Sequence, residues 1–330
     1  MNHQTVFVTG ATGFVGRHLI EDLLRNGCQK IHVMVRNASY PEWLKQPHIT
    51  VHEASLRDTA SLIKAMPVEC DIVFHIAANT TIWKKKASEQ IEDNWMGTRN
   101  IVEAALKNRI RRFVHVSSIA VWDYEEGVLS EEKPKKGKHS RIPYSFSKYM
   151  AEEEVRKGIE QGLDAVIANP AHILGPYDRG NWIRMFKMVH SNSLPGVPGG
   201  TGSFADAREV AKALVAASQY GRTGENYLLG GPNISFLELV GHMGRLLERD
   251  VPKRTVPDWV LMGVGLMKDA FSRISGSEPD ITPQGARHAT ARISVDDQKA
   301  RSQLGYKHTP IETLLTDTIV WLKETDQITS

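Results

Sequence analysis

Thr9-Gly10-Ala11-Thr12-Gly13-Phe14-Val15-Gly16 is the stretch that decides the fold. It follows the apolar run Val6-Phe7-Val8 and leads into an amphipathic segment from His18 to Leu24, so a first strand turns here into a first helix. A turn of this kind binds phosphate. Gly10 can take the backbone angles of the tight turn, Gly13 lets the main chain approach a pyrophosphate, and Gly16 permits close packing of helix on strand. Thr12, Phe14 and Val15 complete the turn, and the helix N-terminus turns its N–H groups toward the anion. Glycine spacing alone is a weak signal. The order strand, turn, helix at the head of the chain strengthens it.

The alternation continues outward from that turn. Ile31-His32-Val33-Met34-Val35-Arg36 reads as a second strand, and Arg36 ends it 20 residues beyond Gly16. In nucleotide-binding folds an acidic residue near this point holds a ribose 2′-hydroxyl, whereas an arginine accommodates a 2′-phosphate. Arg36 therefore favours NADP, with NAD possible. A third strand, Ile49 to His52, leads to Ser55 and Leu56, and a fourth runs from Asp71 to Asn79. Ala77 and Ala78 are small enough for a cofactor to lie against that strand's end, beside Asn79. A helix from Asn94 to Leu106 precedes a fifth strand, Phe113 to Ser118, and a sixth spans Asp164 to Ala168. Strands alternating with helices of this length predict an α/β fold, a Rossmann-type doubly wound parallel sheet covered on both faces. Ligands in such sheets bind at the carboxyl ends of the strands. The expected division is a nucleotide-binding domain over residues 1–170 and a mainly substrate-binding α/β region over 171–330, with some segments returning to the first domain. Glycine- and proline-rich stretches at Leu194 to Gly202 and Gly230 to Pro232 mark the looser second part.

Composition narrows the function further. The 41 basic and 38 acidic residues leave a formal charge of +3, which gives no case for general nucleic-acid binding. Lysines cluster at 84–86 and between Lys133 and Lys138, and the second cluster sits in a polar loop, Glu125 to Arg141, that reads as solvated. Cys28 and Cys70 fit neither a disulfide framework nor a metal-ligand spacing, so no metal is expected. With no leader pattern and no run of 18 apolar residues, the expectation is a cytoplasmic protein without an integral membrane segment.

The chemistry gathers in three side chains. Pro143 suits a helix start, and Tyr144 and Lys148, four residues apart, share one face of the helix that follows. A phenol is a poor acid or base near neutral pH because its reference pKa is about 10. The Lys148 ammonium one turn away favours the phenolate, and Lys148 can also hold ribose hydroxyls. Tyr144 then passes a proton to or from a substrate oxygen while a nicotinamide exchanges a hydride with the adjoining carbon. Ser118 hydrogen-bonds the same oxygen. His172, at the expected mouth of the site, is a candidate to face substrate, although a packed structural histidine is the commoner case.

With these residues in hand the chain resembles an extended short-chain dehydrogenase/reductase over essentially its whole length. The resemblance rests on Thr9 to Gly16, His75 to Ala78, Asn94 with Gly97-Thr98 and Asn100, Ser117-Ser118, Tyr144 to Lys148 and Gly175-Pro176. It implies Ser118, Tyr144 and Lys148 as catalytic triad, adenine contacts near Ser55 and Leu56, nicotinamide contacts near Pro170 and Ile173, and a homodimer through the helices Asn94 to Leu106 and Tyr144 to Lys157. Ser55 is a departure, since many relatives carry aspartate there. The family's chemistry divides between carbonyl reduction or alcohol oxidation, as in members similar to dihydroflavonol reductases and 3β-hydroxysteroid dehydrogenases, and epimerisation or dehydration of nucleotide sugars. Sugar-nucleotide members usually carry arginine and asparagine where this chain has Asn169 and His172, and an arginine before the phenylalanine matching Phe204, where Gly202-Ser203 stand. That favours a reductase. An apolar stretch from Trp259 to Phe271 fits a substrate cap, a membrane contact or a packed helix alike. A non-catalytic NADP sensor is the remaining alternative, against which the complete Ser118-Tyr144-Lys148 set argues.

Overall fold

The computed structural model describes residues 1–330 apart from Asn2, Ile82, Tyr124, Glu125, Gly276, Glu278, Asp280 and Ser330, and apart from the side chains of Asn181, Arg273 and Ile274. Its strands, in chain order, are β1 Thr5–Thr9, β2 Lys30–Val35, β3 Ile49–Glu53, β4 Ile72–His75, β5 Arg112–Val116, β6 Gly127–Leu129, β7 Ala165–Pro170, β8 His172–Leu174, β9 Thr201–Asp206, β10 Asn226–Leu229, β11 Asn233–Ser235 and β12 Ile293–Val295. Seven of them form one wholly parallel sheet in the order β10-β7-β5-β4-β1-β2-β3. This is the expected Rossmann-type α/β fold.

The residues explain the layers. Val6, Val8, Ile31, Val33 and Val114 are buried on one face of the sheet, and Phe7, Val73, Phe113 and Ile167 on the other, so each strand carries apolar side chains both ways. Such a sheet is stable only with helices on both sides. Helix Phe14–Arg25 packs with Ala207–Tyr220 on the first face, and Gly97–Lys107 with Pro143–Glu160 on the second.

Beyond Pro170 the chain builds a three-stranded sheet, β11-β9-β8, and an apolar core in which Phe186, Phe204, Phe236, Leu239 and Leu314 meet. β10 then returns to the large sheet beside β7. The expected loop Glu125 to Arg141 begins on a residue outside those described, and it contains β6, which pairs in parallel with β12. Three residues are too few for alternation to reveal such a strand. β4 is shorter than its apolar run because the Ala77 N–H turns aside to the Thr9 hydroxyl (3.3 Å).

Candidate functional site

One cleft of about 760 Å³ runs across the carboxyl ends of β1, β2, β4, β5 and β7. The glycine turn lines it. Gly10 sits at φ +76°, and a Cβ there would fall 2.6 Å from Ala77 N; a Cβ on Gly16 would fall 2.0 Å from Gly10 O. Both positions exclude any side chain. Gly13, at the N-cap of helix Phe14–Arg25, makes no side-chain cap, and no acidic residue occupies the first turn. The helix's leading N–H groups therefore remain for an anion in the cleft.

A directed hydrogen-bond chain fastens this turn to the next strand end. Ala77 N–H donates to Thr9 Oγ1 (3.3 Å), which lies 2.7 Å from His75 Nδ1. On the ring's other side, Nε2 lies 3.0 Å from Thr98 Oγ1, and Thr98 donates to the Asn94 carbonyl (2.6 Å). Since the Thr98 proton is already spent, Nε2–H must donate and Nδ1 must accept from Thr9, which sets a neutral tautomer. Burial agrees, pushing the imidazole down to about 3, with the Lys148 charge adding to the effect. The Asn94 side chain clasps Asn79, accepting from its N–H (2.7 Å) and donating to its carbonyl (2.9 Å), and reaches Ser147 Oγ at 3.0 Å. Asn94 lies in a single π-helical turn, Glu92–Met96, between two α-helical segments. Turns of this kind often mark functional sites. The sequence shows Asn94 as a motif residue but gives no sign of the π-turn.

Across the cleft, Ser118 and Tyr144 line it together. Ser118 follows β5 and caps the short turn Ile119–Trp122, accepting from Ala120 N–H (3.1 Å), which leaves its O–H to donate. Tyr144 follows Pro143 in the first turn of helix Pro143–Glu160. Burial pushes its phenol above the usual value, and the nearby Ser118 hydroxyl draws it part of the way back. Lys148 is 2% exposed and donates to the Val116 carbonyl (2.7 Å). Burial brings its ammonium down to about 8, against the pull of Glu152.

Glu152, one turn further on, anchors a buried network. It accepts from Asn169 Nδ2 (2.6 Å), which also donates to the Ser118 carbonyl (3.1 Å), and it is ion-paired to Lys135. Asn226 donates to Asn169 Oδ1 (2.7 Å) and accepts from Lys135 (2.9 Å). Lys135, expected in a solvated loop, is thus drawn into the interior by its ion pair with a buried carboxylate.

Of the sequence-derived candidates, Gly10, Thr12, Gly13, Phe14, Val15, Gly16, Arg36, Leu56, Ala77, Ala78, Asn79, Ser118, Tyr144, Pro170 and Ile173 all line the cleft. Three do not. Lys148 is tucked behind its wall. The Ser55 hydroxyl accepts from Arg57 N–H (3.2 Å) in a local turn, away from the cleft. His172 belongs to an aromatic cluster with Phe204, Trp182 and Phe236, ring centroids 5.3–5.9 Å away, and burial lowers its imidazole to about 4. Its position at the start of β8 aims the ring into the second core rather than at the strand ends. Asp178, Arg179 and Gly180, which follow the Gly175-Pro176 turn, line the cleft without having been anticipated. His18 Nε2, 2.9 Å from the Pro176 carbonyl, ties that segment to the first helix.

A wholly parallel sheet with a glycine turn at the strand ends, facing a cleft, defines a Rossmann-fold protein. The sequence profile of the NAD dependent epimerase/dehydratase family matches residues 6–230, and the chain belongs to that family. A Synechocystis protein named as a dihydroflavonol 4-reductase is 31% identical, over 96% of this chain and 94% of its own length. Sterol demethylase protein B of Methylococcus capsulatus is 28% identical, over 98% of this chain and all of its own. The crystal structure of a protein designated gox2253 superposes with a TM-score of 0.84 at 27% identity, covering 99% of this chain and 100% of that one. Relatives named as a ketoreductase and as a sugar epimerase both occur in the same company.

Proposed function

We propose that the protein is an NADP-preferring carbonyl reductase, or an alcohol dehydrogenase in the reverse direction, acting on a largely apolar ketone or aldehyde. The observation that carries this reading is one continuous cleft lined by the glycine turn and Arg36 and by Ser118 and Tyr144.

The residues fit a nicotinamide dinucleotide. An uncapped helix N-terminus and glycines that admit no Cβ suit a pyrophosphate. The exposed Arg36 guanidinium suits a 2′-phosphate, with Leu56 on the adenine side, Ala77, Ala78 and Asn79 along the middle, and Pro170 and Ile173 toward the nicotinamide. Bound there, the cofactor supplies a hydride to the carbonyl carbon. Tyr144 gives its phenolic proton to the substrate oxygen as negative charge develops on it, and the Ser118 O–H hydrogen-bonds the same oxygen. The Lys148 ammonium, on the same helical face as Tyr144, lies behind the wall that would meet the ribose and holds the Val116 carbonyl (2.7 Å). Trp83, Ile142 and Pro143, with the polar Thr81, Gln90 and Gln284, line a cavity of about 10 Å³ beside Tyr144, too small to hold a substrate itself.

A nucleotide-sugar epimerase is the second reading, favoured by the family's other named members. The positions that serve a diphosphate in such enzymes are occupied differently here. Asn169 is committed to Glu152 and Asn226, Ser203 is bonded to the Gly231 carbonyl (3.1 Å), and Phe204 is core. The test is NADPH oxidation across a panel of apolar ketones and aldehydes, with UDP-sugars assayed for epimers in parallel. Net oxidation with a ketone is expected. Epimer formation without net oxidation would replace the reading with the second one. The chain is also proposed to form a homodimer through the helices Gly97–Lys107 and Pro143–Glu160, between which Trp95, Met96 and Leu106 line an open groove; sedimentation equilibrium would read the mass directly.

A further inference from the structure

Helix Asp258–Ser275 carries the most exposed apolar side chains of the molecule's second half. Trp259, Leu266, Met267 and Phe271 are 78%, 58%, 66% and 68% exposed. Their spacing of 7, 8 and 12 residues from Trp259 sets them along one face. The opposite face is spoken for. A Cβ on Gly265 would lie 3.1 Å from the Thr282 carbonyl, Ser272 is buried, and the helix packs on its neighbour Pro283–Thr290. On the outward face, Gly263 has open space where a Cβ would be. The apolar stripe is therefore a surface feature and not the back of a core.

We propose that this helix docks the protein on an anionic lipid bilayer, lying in the interface with Trp259, Leu266, Met267 and Phe271 inserted. Three observations select a bilayer over a second protein. The four side chains present on the order of 500 Å² of apolar surface, taking about 150–250 Å² for each large side chain, which is short of the roughly 800 Å² per partner of a stable dimer. Exposed Lys253 and Arg254 stand just ahead of the helix, where they complement acidic headgroups, with Asp258 the one exposed acid at its start. Tryptophan at one end and phenylalanine at the other is the pattern of a helix lying at an interface. No helix among the described residues is long and apolar enough to cross a membrane, so the contact is peripheral. The neighbouring helix Pro283–Thr290 brings Gln284 to the small cavity beside Tyr144. Docking would thus turn the side of the molecule that adjoins Tyr144 toward the bilayer.

The experiment is sedimentation of the full chain with large unilamellar vesicles of equimolar phosphatidylcholine and phosphatidylglycerol, alongside vesicles of phosphatidylcholine alone. The wild type is expected to pellet with the anionic vesicles, and less with the neutral ones. The double variant Leu266→Glu/Phe271→Glu should lower the bound fraction at least about tenfold while its melting temperature stays unchanged, and Trp259→Gln should lower it in part. Wild type left in the supernatant with both vesicle types would overturn the proposal. So would a double variant that pellets as well as wild type, or a dimer that the double variant abolishes without any vesicle binding, which would make the face a seam between copies. Pelleting is read without turnover, so its failure is distinct from failure of the proposed reaction.

Discussion

Ser118 and His172 stand just beyond adjacent strands of one sheet, β5 and β7, yet they end in opposite surroundings. Ser118 opens into the cleft that Tyr144 also lines; His172 stacks on Phe204 in an aromatic core. The difference lies in what the chain does next. After β5 it makes a short turn and re-enters the repeating sheet-and-helix layers, whose geometry delivers strand ends to the ligand. After β7 it starts a second sheet, and side-chain packing rather than repeat geometry decides where a residue points. A strand end is thus a good predictor of function only while the layers repeat.

The largest effect expected on the Ser118 side is from Tyr144→Phe. Steady-state turnover should fall by about 100- to 10,000-fold with folding intact, as for loss of a general acid; retained turnover would break the contrast by removing chemistry from the first region. Lys135→Ala should cost about 3–5 kcal/mol in urea-melt stability, because it leaves Glu152, 1% exposed, as an unpaired buried charge beneath Ser118. Arg36→Ala should weaken NADP binding by about 1.5–3 kcal/mol in calorimetry and leave NAD binding nearly untouched. Equal losses would make Arg36 a surface residue only.

Acid gives a further contrast. His75 is held at about 3 against an ordinary 6.5, so between those values the unfolded chain binds the proton that the folded chain refuses. Stability from this residue is complete above pH 6.5 and drains away as pH falls toward 3, at up to about 1.4 kcal/mol per pH unit. Urea melts from pH 7 to 4 should show a slope at least that steep, because burial also lowers His115, His172 and His288, and His75→Asn should reduce it by up to about 1.4 kcal/mol per pH unit. The smallest effect is expected from His172→Phe, below about 1.5 kcal/mol in stability and negligible in turnover, since one ring replaces another in an aromatic cluster. A large loss of turnover there would carry the site into the second region.

Much of the first region was legible in sequence because its signals are local. Apolar strands, the glycine spacing of Gly10, Gly13 and Gly16, and the four-residue offset of Tyr144 and Lys148 each report geometry within a few residues. What escaped depends on contacts made far along the chain. Lys135 looks solvated until Glu152, Asn169 and Asn226 are brought beneath it; Asn94 becomes a clamp only through a π-turn that no residue type announces. Ser55 resembles an adenine contact by position, yet its hydroxyl is engaged by the next turn. The second region offers few such local cues, and its aromatic core, drawn from Trp182, Phe204 and Phe236, is assembled from three separate elements.

The return of β10 to the edge of β7 has a consequence for how the molecule is made. On a ribosome adding about 5–20 residues each second, the roughly sixty residues between Pro170 and Leu229 take about 3–12 s to emerge. During that interval Ile167–Pro170 is an open parallel edge, and Asn169 beneath Ser118 lacks the amide of Asn226. The nascent chain therefore carries its phosphate turn and tyrosine before it can finish the sheet that supports them, and that pause is the time in which a chaperone or a neighbouring nascent chain has access to the edge.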